Sequence, residues 1–151
     1  MADNNNAKVG KLPKAPHPAL KALDRLVGDW KIEGPDVDGR ASFEWMEGGF
    51  FLVQHFDLVN FGERHKGVEY ATFDEDTGTV RSHLIGTDGS NFTYTYEIEG
   101  DRLIYWFGDK DSGNCSRATF SRDGRTLTGR WQWTMPDGKS FAYDYTMTRA
   151  H

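Results

Sequence analysis

Cysteine is almost missing from this sequence. Cys115 is the only one in 151 residues, which excludes an internal disulfide and a cysteine-based metal cluster and predicts a reducing compartment. Long apolar runs are missing as well. The N-terminal stretch MADNNNAKVGKLPKAPHP lacks the apolar core of a signal peptide, and no later segment approaches the ~20 apolar residues of a membrane span. A cytoplasmic protein that does not engage a membrane is the expectation. There is no basic excess either: 18 Lys and Arg against 23 Asp and Glu leave a formal charge of −5. Both signs are scattered and no basic stripe forms, so nucleic acid is not an expected partner.

What the sequence does have is aromatic residues in alternation and turn signals at short intervals. Its length suits one domain with a substantial core. Residues 1–16 are polar, Asn-rich and broken by Pro13 and Pro16, and read as a flexible arm. From His17 to Val27, Leu20, Leu23 and Leu26 recur every third residue behind Pro18, which predicts a short amphipathic helix serving as a lid or plug. The barrel domain is expected to run from residue 17 to 151. Trp30 and Ile32 then alternate with charged residues as a first half-buried strand.

The segment RASFEWMEGGFFLVQHFDLVN, 40–60, reads as two strands folded about Glu47, Gly48 and Gly49, with Trp45 opposite Phe50. Later turn signals recur about every ten residues, from Phe61-Gly62 to Pro136-Asp137-Gly138, as in an all-β sandwich or barrel. The short connections make successive strands antiparallel neighbours. No long Greek-key crossover is visible, so the fold class expected is an up-and-down antiparallel barrel of about ten strands with one short N-terminal helix at its mouth.

LVGDWKIEG resembles the Gly-x-Trp opening strand of lipocalin-like, calycin-type proteins, including fatty-acid-binding proteins and nitrobindins. The ordered set SFEWMEGGFFLVQHFD, GVEYATFDEDTGTVRSHLI and RDGRTLTGRWQW is similar to a bacterial calycin-like family filed as a domain of unknown function, over residues from about 20 to the C-terminus. That resemblance implies a barrel with an internal cavity and a helix at the mouth, and no established reaction. Through the nitrobindins it also implies a haem or nitric-oxide reading, with haem held by a histidine near the C-terminus. The corresponding end here is FAYDYTMTRAH, with His151 last and no equivalent insertion.

Turn geometry fixes strand register, and register decides which residues point inward. A turn at Phe61-Gly62 pairs Gln54 with Glu69. An acidic turn with Asp74 opposite Gly78 pairs Glu69 with His83, and Asp88-Gly89 then pairs His83 with Tyr94 and Arg81 with Tyr96. Gly100-Asp101 sets Tyr105 opposite Tyr96. These registers predict a ligand site lined by Trp45, Gln54, Glu69, Arg81, His83, Tyr94, Tyr96, Tyr105, Trp131 and Tyr145. Convergent polar groups among aromatics are the usual lining of a small-molecule pocket, so the leading expectation is a small hydrophobic ligand with a polar or acidic group for Arg81.

An enzyme of isomerase, cyclase or dehydratase type follows if Glu69 and His83 form an acid/base pair, and a network that merely holds the barrel's register is the bland alternative. No cofactor is required unless the haem reading holds. His55, His65 and His83 do not share a face, so no metal centre is expected. Phe51, Val53 and His55 on an outward face predict either a homodimer patch or burial beneath the N-terminal segment. The orientation of strand 114–120 is open, and Ser116 and Cys115 with it.

Overall fold

The computed structural model describes residues 6–150. Ten strands follow in order: β1 (Gly28–Glu33), β2 (Val37–Trp45), β3 (Leu52–Asn60), β4 (Glu63–Asp74), β5 (Thr79–Gly86), β6 (Asn91–Glu99), β7 (Arg102–Phe107), β8 (Cys115–Phe120), β9 (Thr126–Thr134) and β10 (Ser140–Arg149). Each pairs antiparallel with the next, and β10 returns to β1 with Trp30 opposite Arg149. The sheet is therefore a closed up-and-down barrel. Closure leaves no unpaired edge, which is how a long meander of short strands stays a single sheet. No helix among the described residues is long and apolar enough to cross a membrane.

The two ends of the barrel are built differently. At one, Pro18–Leu26 folds as a 3₁₀ helix that buries Leu20, Leu23 and Leu26 against the core. The three-residue spacing accounts for the helix type, because side chains at i and i+3 eclipse when there are three residues per turn. Burying all three sustains a run longer than such helices usually reach. His17 starts it, its Nδ1 accepting the Ala19 N–H at 3.0 Å while its ring stacks on Phe73 at 3.6 Å. Replacing His17 by Ala should cost about 1 kcal/mol, or roughly 3 °C in Tm by thermal denaturation. An unchanged Tm would mean that this cap contributes nothing.

Side chains from the strands fasten the helix. Trp45 donates its indole N–H to Asp24 at 2.7 Å, and Trp30 donates to the Leu26 carbonyl at 2.8 Å. Arg25 reaches out to the Gly100 carbonyl at 2.8 Å and lies over the Phe120 ring. Arg149 reaches in from the last strand. Its guanidinium donates to the carbonyls of Val27 and Arg25, both at 2.6 Å, and of Gly124 at 3.0 Å, while lying 4.3 Å over the ring of Trp30. Beneath this stopper Phe43, Leu52, Leu103, Ala118, Phe120 and Leu127 fill the barrel.

Several hairpins set the inner surface. Phe61 and Gly62 form a two-residue turn with φ of 51° and 80°, the doubly left-handed conformation that type I′ hairpins require, and Gln54 pairs with Glu69 as expected. Tyr105 pairs with Tyr96, also as expected. Trp45 pairs with Leu52 and not Phe50, a shift of two residues that leaves Trp45 pointing inward.

The register of β5 differs by one residue on both sides. Asp74 pairs with Thr79 and not Gly78, because Gly78 stays in the turn and donates its N–H to the Asp74 carbonyl at 2.8 Å. Glu69 therefore faces Leu84, and His83 faces Tyr70. In the next hairpin His83 pairs with Thr93 rather than Tyr94, and Arg81 with Thr95 rather than Tyr96. The two offsets add up to two residues by β6, where Phe92 and not Tyr94 stands in the row of Glu69, and a shift of two restores the face. Tyr94 and Tyr96 point inward as expected, and β5 alone is turned over: Val80, Ser82 and Leu84 face in, Arg81 and His83 face out. In β8, Ser116 faces inward between Tyr105 and Trp131, which puts Cys115 on the other face, where it is buried.

Candidate functional site

The half of the barrel away from the stopper is hollow. A cavity of about 410 Å³ opens at the end formed by the β3–β4, β5–β6 and β9–β10 turns, within the range of small-molecule sites. Its walls follow from alternation along four strands. β6 contributes Phe92, Tyr94 and Tyr96, β10 contributes Phe141, Tyr143 and Tyr145, β9 contributes Trp131 and Trp133, and β7 contributes Tyr105. The rings contact one another, Trp131 stacking on Trp133 at 5.5 Å and meeting Tyr94 edge-on at 6.1 Å. At the opening, Phe61 reaches over from its turn and sets its ring edge-on to Phe141 and Tyr143, 5.6 Å from each.

The floor is polar. Glu69 is 7% exposed and accepts a hydrogen bond from the Tyr96 hydroxyl at 2.6 Å. Burial pushes its carboxyl above the ordinary range, against the opposing pull of the Ser82 and Tyr96 hydroxyls. Tyr94, Tyr96 and Tyr105 are raised in turn, first by burial and also by the charge of Glu69. Tyr145 shares a 2.6 Å hydrogen bond with Ser116 and is pushed up to about 12 by burial. All these phenols are neutral donors at physiological pH. A bare strip of β9 makes room for Tyr145, since a Cβ on Gly129 would lie 2.7 Å from its Cζ.

The rim carries charge. His65 Nδ1 meets Asp88 Oδ2 at 3.0 Å, and Asp88 also accepts from the hydroxyl and the N–H of Ser90. Those two bonds, then His65, hold the Asp88 carboxyl down to about 2. Glu63 completes an opening with two acids and one imidazole.

Seven of the expected site residues line this cavity: Gln54, Glu69, Tyr94, Tyr96, Tyr105, Trp131 and Tyr145. Trp45 is inside the barrel but at the stoppered end, where Asp24 holds it. Arg81 and His83 are on the outer wall. Arg81 is nevertheless buried, because the β7–β8 connection folds back over it: the Gly108 N–H donates to the Thr93 carbonyl, the Thr95 hydroxyl donates to the Gly108 carbonyl, and Arg81 donates to Asp109. His83 bonds Asn91. The Glu69–His83 acid/base pair is therefore not formed, and no guanidinium reaches the cavity to receive an acidic ligand.

Sequence reasoning passed over Asn60, Phe61, His65, Asp88, Ser90 and Tyr143, which all line the cavity. Three of these were within reach. Asn60 has the parity of Gln54, His65 that of Glu69, and Tyr143 that of Tyr145. Phe61, Asp88 and Ser90 stand in or beside turns, where strand alternation says nothing about direction.

No protein-family model matches the sequence, and no curated protein matches it. Among solved structures the chain is similar to Rv2717c from M. tuberculosis, with 18% identity and a TM-score of 0.59 over 90% of this chain and 99% of that one. It also matches a de novo designed fluorescence-activating β-barrel, with 12% identity and a TM-score of 0.46 over 85% of this chain and 96% of that one. The Rv2717c likeness supports the barrel architecture.

Among the described residues, the imidazole that lines this cavity is that of His65, held at the rim by Asp88, and the thiol of Cys115 is on the other face of β8. His151 lies outside the described residues.

Proposed function

We propose that the barrel binds a small, largely apolar molecule bearing one polar group, inserted from the open end. The observation that carries this reading is the cavity itself: about 410 Å³, walled by aromatic side chains and ending on the buried carboxyl of Glu69. Aromatic walls supply the gain from apolar burial, while a few fixed polar groups select the orientation. Tyr105, Tyr145 and Ser116 hold one another through hydroxyl contacts and the Tyr96 hydroxyl holds Glu69, so the floor is organised before a ligand arrives.

Native mass spectrometry of gently purified protein, followed by a thermal-shift panel of apolar and aromatic molecules, tests the reading. Compounds that raise Tm should lose about tenfold or more in affinity for Gln54→Trp, which fills the cavity from β3. Binding that is indifferent to that substitution would place the ligand elsewhere and overturn the assignment.

A further inference from the structure

We infer that the ligand's polar group is a cation, an amine or quaternary ammonium carried on an apolar body and set against Glu69. This rests on the cavity-binding reading and narrows it to a ligand class. Three acids line the cavity, Glu63 and Asp88 at the rim and Glu69 at the floor. Among the described residues, the single basic side chain lining it is His65, at the rim and already bound to Asp88. The counter-ion expected from the sequence, Arg81, lies on the far side of the wall with Asp109.

An ionised carboxylate in low dielectric is costly unless something pairs with it. Tyr96 supplies one hydrogen bond and no charge. The Ser82 hydroxyl likewise brings no charge, Gln54 and Leu84 flank Glu69 in the sheet, and the phenol rings of Tyr94, Tyr96 and Tyr105 lie within reach of its charge, with π faces that are negative and attract cations. Tyr105 and Trp131 lie 5.5 Å apart at the same depth, and Tyr94 closes in on Trp131. An ammonium set against Glu69 pairs with the ionised form that burial otherwise disfavours, whereas an anionic ligand would add a second unpaired charge. The acids at the rim add a negative potential along the way in, which favours approach of a cation.

Three matched probes separate the alternatives: tryptamine as cation, indole-3-acetamide as neutral analogue and indole-3-acetate as anion, each titrated calorimetrically into the whole protein at neutral pH. Tryptamine should bind about tenfold or more tightly than the amide, with the acetate weakest. In Glu69→Gln, checked for folding by circular dichroism, the tryptamine-to-amide ratio should collapse to near one. Equal or tighter binding of the amide or acetate overturns the inference while leaving the cavity reading intact, as does a cation preference that survives in Glu69→Gln. Failure of all three probes to bind at millimolar concentration also overturns it, and the cavity reading falls with it only if the wider apolar panel fails too.

Discussion

Arg149→Met should lower the stability of the barrel by about 3 kcal/mol, seen as a fall in Tm of roughly 10 °C. The guanidinium satisfies three carbonyls from two segments distant in sequence, Arg25 in the last turn of the helix with Val27 just after it, and Gly124 in the β8–β9 turn. It does so at the closing seam, on the residue paired with Trp30. Methionine keeps most of the apolar stem but leaves those acceptors without their donor, and it removes the contact with the Trp30 ring. Arg149→Lys should recover part of the loss at most, because an ammonium cannot present a planar fork to three acceptors. A Tm within 2 °C of the native protein for Arg149→Met would show that the leucines of the helix hold this end by themselves.

Glu69→Gln should change the dependence of stability on pH. Because the folded pKa of Glu69 is raised by burial, the folded state holds a proton that the unfolded chain releases at about 4.5. Native stability referable to this group is thus complete below that value and is lost as pH rises through the folded pKa. The slope over that window is about 1.4 kcal/mol per pH unit. The glutamine variant has no proton to lose. Its stability should match the native protein at low pH and exceed it increasingly across the window. The titratable groups facing Glu69 are Tyr94, Tyr96, Tyr105, Tyr143 and Tyr145, all held protonated by burial, so they add nothing to the difference below alkaline pH. Urea denaturation of both proteins at a series of pH values measures the difference, and a flat curve would mean that the carboxyl is as well solvated as one on the surface.

The sequence carries the barrel plainly, because alternation and turn spacing are local and repeat strand after strand. Part of the cavity lining came with it: Gln54, Glu69, Tyr94, Tyr96, Tyr105, Trp131 and Tyr145 all follow from parity. The two misplaced charges, Arg81 and His83, share one cause. A loop ending on Gly78 and one that carries Gly89, each of four residues, admit a neighbouring register, and reading both one residue off returns the next strand to its true face. Checking the outcome on Tyr94 cannot detect such a pair. A different check was available in the composition of β5, where Val80, Ser82 and Leu84 make the more apolar face. Arg81 then draws its cover from the β7–β8 connection, a tertiary contact that no local pattern announces.

Phe61 gives the open end a property that its strands alone would lack. It is the only non-glycine residue at positive φ among the described residues, and its half-exposed ring leans across the opening from a turn rather than from the wall. Under the cavity-binding proposal, Phe61→Ala should widen the way in and speed both entry and release of a bound molecule, read by stopped-flow fluorescence, while the floor around Glu69 is left as it was.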